Sequence, residues 1–366
     1  MMKKLLKIAI YVMAVIVGVY YGLAFIGALM NGSEGIAYML DLLLGLFLAY
    51  NVGIIVHEGG HLIFGLMAGY RFCSFRVWSL MLIKQNGRFN IRSFSLAGTG
   101  GQCLMIPPER EETGAQVILY NLGGVIANLI FAVICGILYA VLPKIYLLST
   151  FLWMSVAFSL ITLLTNGIPL NLGGIANDGM NALHLSKNPD AAEAFRKTLM
   201  INASQTEGNK VSDMPAEWFT LSDGADMQNV HCASLAVFAT GRTLDRGDTL
   251  KAEEEISTLL NSRYNIIGLH RNLLTCDLIS CRLINDPSAD ISGLITPDLN
   301  KIMKAMRNYP SVIRTQYIIA LLYEKDEKKA ADIAAIFARQ TKNFPYRQEV
   351  ESELALINRA YEKSRN

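Results

Sequence analysis

The sequence predicts an all-α, polytopic membrane domain followed by a soluble α-helical domain. Of the 366 residues, 52% are hydrophobic and only 17% are charged, which is too apolar for an average soluble protein. The charges are also unevenly placed, because residues 1–187 carry 11 Lys/Arg and 7 Asp/Glu whereas residues 188–366 carry 22 and 24. We therefore predict a membrane-embedded domain at 1–187 and a cytoplasmic helical domain at 188–366.

Four apolar stretches are long enough to cross a membrane as helices, which takes about 20 residues each. They lie at about 8–30, 37–62, 116–142 and 145–168. Lysines precede the first stretch, as they do in a signal peptide. However, its uncharged run of 23 residues exceeds a typical signal-peptide core and contains no convincing cleavage site. We therefore predict that the first stretch is a retained span.

Basic residues predict the orientation of these spans. Lys3, Lys4 and Lys7 precede the first span, and six further basic residues lie in the loop at 69–115. Loops that are rich in Lys and Arg stay on the cytoplasmic side of a membrane. We therefore predict that the N- and C-termini and the 69–115 loop are all cytoplasmic.

The 69–115 loop carries the pattern of a β-hairpin. Two runs of strand-forming residues, 75–83 and 89–94, flank Gln85-Asn-Gly-Arg88, where Asn-Gly suits a two-residue turn. The pattern predicts a hairpin that is associated with the membrane. The segment Gly98–Gly101 fits either a flexible tether or a loop whose backbone approaches another group closely.

Beyond residue 190, apolar residues recur every three or four positions, as in amphipathic helices. Seven such segments lie at 230–245, 249–262, 266–284, 298–308, 312–324, 328–342 and 346–364. They predict consecutive helical hairpins, arranged either as a tetratricopeptide-like solenoid or as a compact bundle. Either arrangement offers a surface to a protein partner. Acidic and basic residues balance to a net charge of +2, so we expect no nucleic-acid partner.

The six cysteines contain neither a C-x-x-C pair nor the density of a disulfide framework. A free cysteine packs as a small apolar side chain. We therefore expect six semi-buried thiols in a reducing compartment.

The strongest motif is His57-Glu58-Gly59-Gly60-His61, inside the second predicted span. On a helix, His57 and His61 project from one face about one turn apart, so both imidazoles can reach one tetrahedral zinc ion. Glu58 is then placed to act as a general base toward the attacking water. Because the preceding residues are apolar, ionisable side chains here need a partner, which a metal supplies. Gly59 and Gly60 allow a neighbouring backbone to come close.

A catalytic zinc ion usually has three protein ligands, so the motif leaves one ligand to be found. Asp178 is the leading candidate, because it ends the uncharged stretch after Lys144 and reaches the depth of the histidines in the predicted topology. Its alternative role is that of a helix N-cap. His184 is the rival ligand, whereas His231 and His270 fall in predicted soluble helices.

These motifs resemble the site-2 protease family of intramembrane zinc metalloproteases. That family has an intramembrane His-Glu-x-x-His, a later Asp-Gly at the end of another span, and an Asn-x-x-Pro ahead of it, here Asn166-Gly-Ile-Pro169. Leu122-Gly-Gly-Val-Ile-Ala-Asn128 is similar to the family's glycine-asparagine entry to its middle core helix. The resemblance covers about residues 37–185.

The resemblance implies His57, His61 and Asp178 as zinc ligands, Glu58 as the catalytic acid/base and Asn166 as a contact to the substrate backbone. The interval from Asn166 to Asp178 is longer than is usual in the family, so a Gly-rich insertion must loop ahead of the aspartate. No segment resembles the PDZ or CBS modules that gate substrates in other members.

The implied function is hydrolysis of a peptide bond in or beside the transmembrane segment of a membrane-anchored protein or peptide, as in regulated intramembrane proteolysis. Zinc is the implied cofactor and the lipid bilayer the expected surroundings. One alternative is a catalytically silent metal-binding scaffold that acts through its helical C-terminal domain. A transporter built on the four spans is the other, and the lack of internal repeats argues against it.

Overall fold

The computed structural model describes residues 32–85, 87–94, 99–110, 112–172 and 175–365, together with isolated positions between 18 and 30. Most of the first predicted span, 8–30, therefore lies outside the described residues. The chain forms two compact units. One comprises Met1–Arg71 and Pro108–Lys187, and the other comprises Phe72–Pro107 and Asn188–Asn366.

Three long apolar helices dominate the first unit. They are α1 (Gly32–Met67), α2 (Gly114–Val141) and α3 (Tyr146–Thr162), and a π-helical turn at Leu163–Gly167 extends α3. Each is long and apolar enough to cross a membrane, with mean hydropathies of 2.1, 2.4 and 2.0, and many of their large apolar side chains are exposed. The three helices pack against one another. The prediction of a multi-pass helical membrane protein is confirmed for these three spans.

Small residues let the helices of this unit pack closely. A Cβ atom placed on Gly45 of α1 would lie 2.5 Å from Cγ2 of Thr150 in α3, and one on Gly53 would lie 2.3 Å from the ring of Phe158. Thr150 also donates a 2.6 Å hydrogen bond to the carboxylate of Asp41. Asp41 thus has a hydrogen-bond partner inside an apolar helix pair, which lowers the cost of placing it there.

The segment between α3 and Asp178 forms a short hairpin. Its strands β5 (Asn171–Leu172) and β6 (Ile175–Ala176) pair in antiparallel fashion, with Asn171 opposite Ala176. The short helix α4 (Asp178–Leu185) follows directly. The predicted insertion ahead of Asp178 is therefore accommodated as a hairpin that leads into a helix N-terminus.

The second unit contains a four-stranded sheet with the strand order β3-β2-β1-β4. Its strands are β1 (Arg71–Val77), β2 (Leu80–Gln85), β3 (Arg88–Ser93) and β4 (Gly101–Ile106). The predicted hairpin is present as β2 and β3, with Gln85 opposite Arg88.

The predicted strand at 75–83 is wrong, because the chain reverses at Trp78 and Ser79. Val77 pairs with Leu80 across this turn, and Trp78 adopts a φ of 55°, a left-handed conformation that is uncommon for a bulky residue. The Trp78 amide donates to the carbonyl of Gly100 at 2.8 Å, and the Arg76 guanidinium donates to that of Gly101 at 3.3 Å. Gly100 and Gly101 therefore bring their backbone close to Trp78 and Arg76, which fits the second of the two roles expected for the glycine segment.

Among the described residues, the second unit also contains eight α-helices: α5 (Pro189–Glu207), α6 (Val230–Asp245), α7 (Thr249–Asn261), α8 (Gly268–Asn285), α9 (Pro297–Ala305), α10 (Pro310–Ile318), α11 (Glu327–Thr341) and α12 (Arg347–Arg365). The last seven fall on the seven predicted helical segments. Their tetratricopeptide-like arrangement stays a prediction, as does the functional division of the chain at residue 187.

The sheet and the helices of this unit share a core. Phe94 packs against Tyr309, Phe344 and Tyr346, with ring centroids 5.7–6.0 Å apart, and the Gln85 amide donates to the Thr206 carbonyl at 2.8 Å. All six cysteines are buried and free.

Candidate metal centre

The His-Glu-Gly-Gly-His motif occupies about one and a half turns of α1, where this helix faces α2. Because the two histidines are four residues apart, their rings project from the same side of α1. The Nε2 atoms of His57 and His61 lie 3.3 Å apart, and their ring centroids are 4.9 Å apart. Glu58 sits between them in sequence and is 9% exposed.

Asp178 completes a group of three potential metal ligands. Its Oδ2 atom lies 3.1 Å from Nε2 of His57 and 3.5 Å from Nε2 of His61. Within the part of the chain that the structure describes, these are the three His, Cys, Asp or Glu side chains whose ligand atoms all lie within 4.8 Å of one another. Two imidazole nitrogens and one carboxylate oxygen form a donor set that is typical of a catalytic zinc site. The residues therefore fit a zinc ion.

Asn177 fixes the position of Asp178. Its side-chain oxygen accepts hydrogen bonds from the amides of Met180 (2.9 Å) and Leu170 (3.0 Å). Its amide group donates to the carbonyls of Thr165 (2.6 Å) and Ile168 (2.7 Å). Asn177 thus caps α4 and ties it to the end of α3, so that Asp178 is the first helical residue and not the cap. Because its side-chain oxygen and nitrogen each make two hydrogen bonds, Asn177 holds the start of α4, and with it the Asp178 carboxylate, in place.

His61 is oriented by a backbone hydrogen bond. Its Nδ1 lies 2.9 Å from the carbonyl oxygen of Tyr120, and a carbonyl can only accept. Nδ1 therefore carries the proton, which leaves the Nε2 lone pair available to a metal. The ring of Tyr120 in turn stacks on Tyr70, with centroids 4.5 Å apart.

His57 is oriented by Asn128 of α2. This side chain is fully buried, and its amide nitrogen Nδ2 lies 3.3 Å from Nδ1 of His57. If Nε2 of His57 binds a metal, Nδ1 carries the proton and needs an acceptor. The Asn128 oxygen has no hydrogen-bond partner, so turning the amide by 180° satisfies both groups.

Glycines allow two close backbone approaches at this site, one between α1 and α2 and one between α4 and the π-helical turn after α3. A Cβ on Gly60 would lie 2.3 Å from the carbonyl oxygen of Gly123, and one on Gly124 would lie 2.7 Å from both His57 Cε1 and His61 Nε2. A Cβ on Gly179 would lie 2.3 Å from the carbonyl oxygen of Gly167. Contacts under 3 Å leave no room for any side chain larger than hydrogen.

The other residues singled out in the sequence lie apart from this group of three. Asn166 is half-buried in the π-helical turn, and its backbone carbonyl faces Gly179. His184 is exposed in the last turn of α4. In the second unit, His231 packs on Phe195 and His270 on Phe238.

Sequence reasoning missed Asn177, Tyr120 and the role of Asn128. Asn is a strong N-cap residue, so its place before Asp178 was an available signal. Tyr120 acts through its carbonyl, which any residue type would supply, so the sequence held no signal for it.

The fold and the site together define a multi-pass membrane protein in which two histidines and one aspartate form a group that could bind a metal ion. The model of peptidase family M50, the site-2 protease family, matches residues 45–344, and the chain belongs to this family. It is therefore a membrane metalloprotease by family. No individual curated protein and no solved structure matches the chain in these comparisons.

Substitution of Gly124 by alanine tests the close approach of α2 to the two imidazoles. The added methyl group would overlap both rings, so we expect the affinity for zinc to fall by about 10–100-fold, as it does when outer contacts of a metal site are disturbed. Gly136→Ala on the same helix is the control, since a Cβ there would meet its nearest neighbour at 4.0 Å. The measurement is the zinc content of both variants after dialysis against increasing concentrations of a chelator. Equal zinc retention by the two variants would contradict the close approach of α2 to the two imidazoles.

Proposed function

We propose that this protein is an intramembrane zinc metalloendopeptidase of the site-2 type. Its substrate would be a membrane-anchored protein or peptide, cleaved in or beside a transmembrane segment near the cytoplasmic face in regulated intramembrane proteolysis. The observation that carries the proposal is the convergence of His57, His61 and Asp178 beside Glu58. Membership of peptidase family M50 supports it independently.

In the proposed mechanism, His57, His61 and Asp178 hold the zinc ion. When bound, zinc polarises the scissile carbonyl and makes water a stronger nucleophile near neutral pH. Glu58 accepts a proton from the attacking water and delivers it to the leaving amine. The low exposure of Glu58 supports this role, because a carboxylate that bulk water does not solvate is available to a single ordered water molecule.

A transmembrane substrate must unwind before it can be cleaved, because a helix shields its own amides. We propose that the unwound segment adds to the sheet as an extra strand, a common mode of peptide binding. Strand β3 lies at a sheet edge and exposes Phe89 and Ile91, which supports this role and an association of the hairpin with the membrane. Asn166 is proposed to contact the substrate backbone.

The substitution Glu58→Gln separates a protease from a metal-binding scaffold. Glutamine keeps the size of the side chain but cannot accept the proton, so cleavage should fall by about 10²–10⁴-fold while zinc stays bound. Proteomic comparison of membranes from cells with either version should show a full-length protein that accumulates only with the variant. If every membrane protein is processed at the same rate in both strains, the protein acts as a scaffold through its helical unit.

The third zinc ligand is tested by comparing Asp178→Ala with His184→Ala. The former removes an oxygen that lies 3.1 Å and 3.5 Å from the two histidine nitrogens, whereas the latter changes an exposed side chain. We expect a substoichiometric zinc content and loss of proteolysis in Asp178→Ala, and near-normal values in His184→Ala. Zinc content is measured by mass spectrometry. If His184→Ala loses zinc and Asp178→Ala keeps it, His184 and not Asp178 is the third ligand.

The proposed orientation places the sheet, the helical unit and both termini in the cytoplasm. Arg88, Lys301 and Lys144 are exposed, and all native cysteines are buried, so single cysteines introduced at these positions are labelled over a low background. In intact cells, an impermeant thiol reagent should label Lys144→Cys but not Arg88→Cys or Lys301→Cys. If Arg88→Cys or Lys301→Cys is labelled before the cells are permeabilised, the orientation is the reverse of the proposed one.

A further inference from the structure

The helical unit contains a cavity of its own, distant in sequence from the metal-binding motif. Its volume is about 280 Å³, and it lies among α6, α8 and α12, with Tyr309 and Tyr346 on its wall. Small-molecule sites generally have volumes from about 300 Å³ upward. This cavity lies close to that lower end, so it can hold one side chain or one small ligand.

Acidic side chains dominate the charged lining of this cavity. Asp277 and Glu353 accept hydrogen bonds at 2.5 Å and 2.7 Å from the fully buried Arg314, which balances part of their charge. Asp245 accepts from the Ser212 amide at 2.7 Å. These three carboxylates are therefore already engaged by the protein.

Glu349 is different, because it lines the same cavity without a partner. Within the part of the chain that the structure describes, no side chain or amide donates to its carboxylate, and no cation forms an ion pair with it. The nearby Lys210 pairs with Glu351, at 3.9 Å, instead. Burial, followed by repulsion from Glu353 and Asp277, raises the pKa of Glu349 to about 8. The cavity thus holds a carboxyl group whose ionised form lacks a counter-ion.

His270 supplies a second unsatisfied group in the same cavity. Its Nδ1 atom is buried and has no hydrogen-bond partner. Burial lowers the pKa of His270, so the ring is neutral near pH 7, and Nδ1 accepts a hydrogen bond when Nε2 carries the proton. A buried acceptor without a donor is uncommon in folded proteins and requires an explanation.

We propose that this cavity binds a primary ammonium group, presented either by a small diamine or by a lysine side chain of a peptide. An ammonium group has three donors and one positive charge. It would satisfy Nδ1 of His270 and supply the counter-ion that Glu349 lacks. The aromatic rings of Tyr309 and Tyr346 line the same cavity and favour a cation over a neutral ligand. This site does not depend on the proposed protease activity.

The proposal predicts a direction for the effect of pH. At pH 7 the free protein holds Glu349 mostly protonated, because its pKa of about 8 lies above the solution pH. A bound ammonium group favours the carboxylate form, so binding releases a proton and the affinity rises between pH 6 and pH 8. The charged and titratable groups that face Glu349 or line the cavity with it are Asp245, Asp277, Glu353, His270, Lys210, Tyr309 and Tyr346, with Arg314 behind them.

Calorimetric titration of the purified full-length protein in detergent tests the proposal. The probes are 1,4-diaminobutane and acetyl-Ala-Lys-Ala-amide, and acetyl-Ala-Ala-Ala-amide is the neutral control peptide. We expect one equivalent of a cationic probe to bind, and the stronger of the two identifies a free amine or a peptide as the natural source. Titration in two buffers of different ionisation enthalpy should show that a proton is released at pH 7.

Glu349→Gln is the decisive variant, and Glu351→Gln is its matched control because Glu351 is exposed on the same helix. The first should weaken binding by about tenfold or more, as expected for the loss of a charge-assisted hydrogen bond, and the second should not. Failure of both probes to bind, or equal affinities in the two variants, would overturn the proposal. If Glu349→Gln does not fold, the pH dependence of probe binding by the wild-type protein tests the proposal instead. An affinity for the cationic probe that does not rise from pH 6 to pH 8 would contradict the role of Glu349.

Discussion

Two membrane helices, α1 and α2, touch backbone to backbone, and this contact sets the position of the side chains around the metal-binding group. Gly60 lies on one side of the contact, and Gly123 and Gly124 lie on the other. Because no side chain separates the helices here, the α2 backbone reaches the two imidazoles directly. In a membrane such approaches are stabilised by van der Waals contact, since lipid provides no hydrophobic force between apolar helices.

The same contact explains how polar groups are tolerated at membrane depth. Each imidazole has one nitrogen aimed at Asp178 and the other at α2, through the Tyr120 carbonyl or the Asn128 amide. A polar atom without a partner costs several kcal/mol in an apolar environment. His57, His61, Asp178 and Asn128 therefore form one connected polar network, and the apolar helices surround it.

The parts of the structure that the sequence predicted are those encoded by local patterns. The four-residue spacing of His57 and His61, the helical periodicity after residue 230 and the Asn-Gly turn between β2 and β3 each depend on neighbouring residues. The proposed partnership of His57 and Asp178, 121 positions apart, was suggested by topology and by the family resemblance. The structure places the two side chains in contact.

The parts that escaped sequence reasoning depend on contacts between distant residues or on unusual backbone. Trp78 turns the chain although its residue type gives no turn signal, because the amide of Trp78 is held by the Gly100 carbonyl. The sheet packs with helices that follow it by more than 100 residues, through Gln85 and Phe94. The Asn177 side chain makes four hydrogen bonds, of which three involve residues of the preceding segment. Contacts between such distant residues leave no periodic pattern in the sequence.

The hairpin of β5 and β6 gives the three proposed zinc ligands unequal mechanical attachment. His57 and His61 belong to one continuous helix and move together, so they act as a preorganised chelating pair. Asp178 lies on a separate element, α4, whose start is held by the hydrogen bonds of the Asn177 side chain to the segment that contains the hairpin. Any event that displaces this hairpin would change how long the metal stays bound, even though no coordinating side chain had been altered.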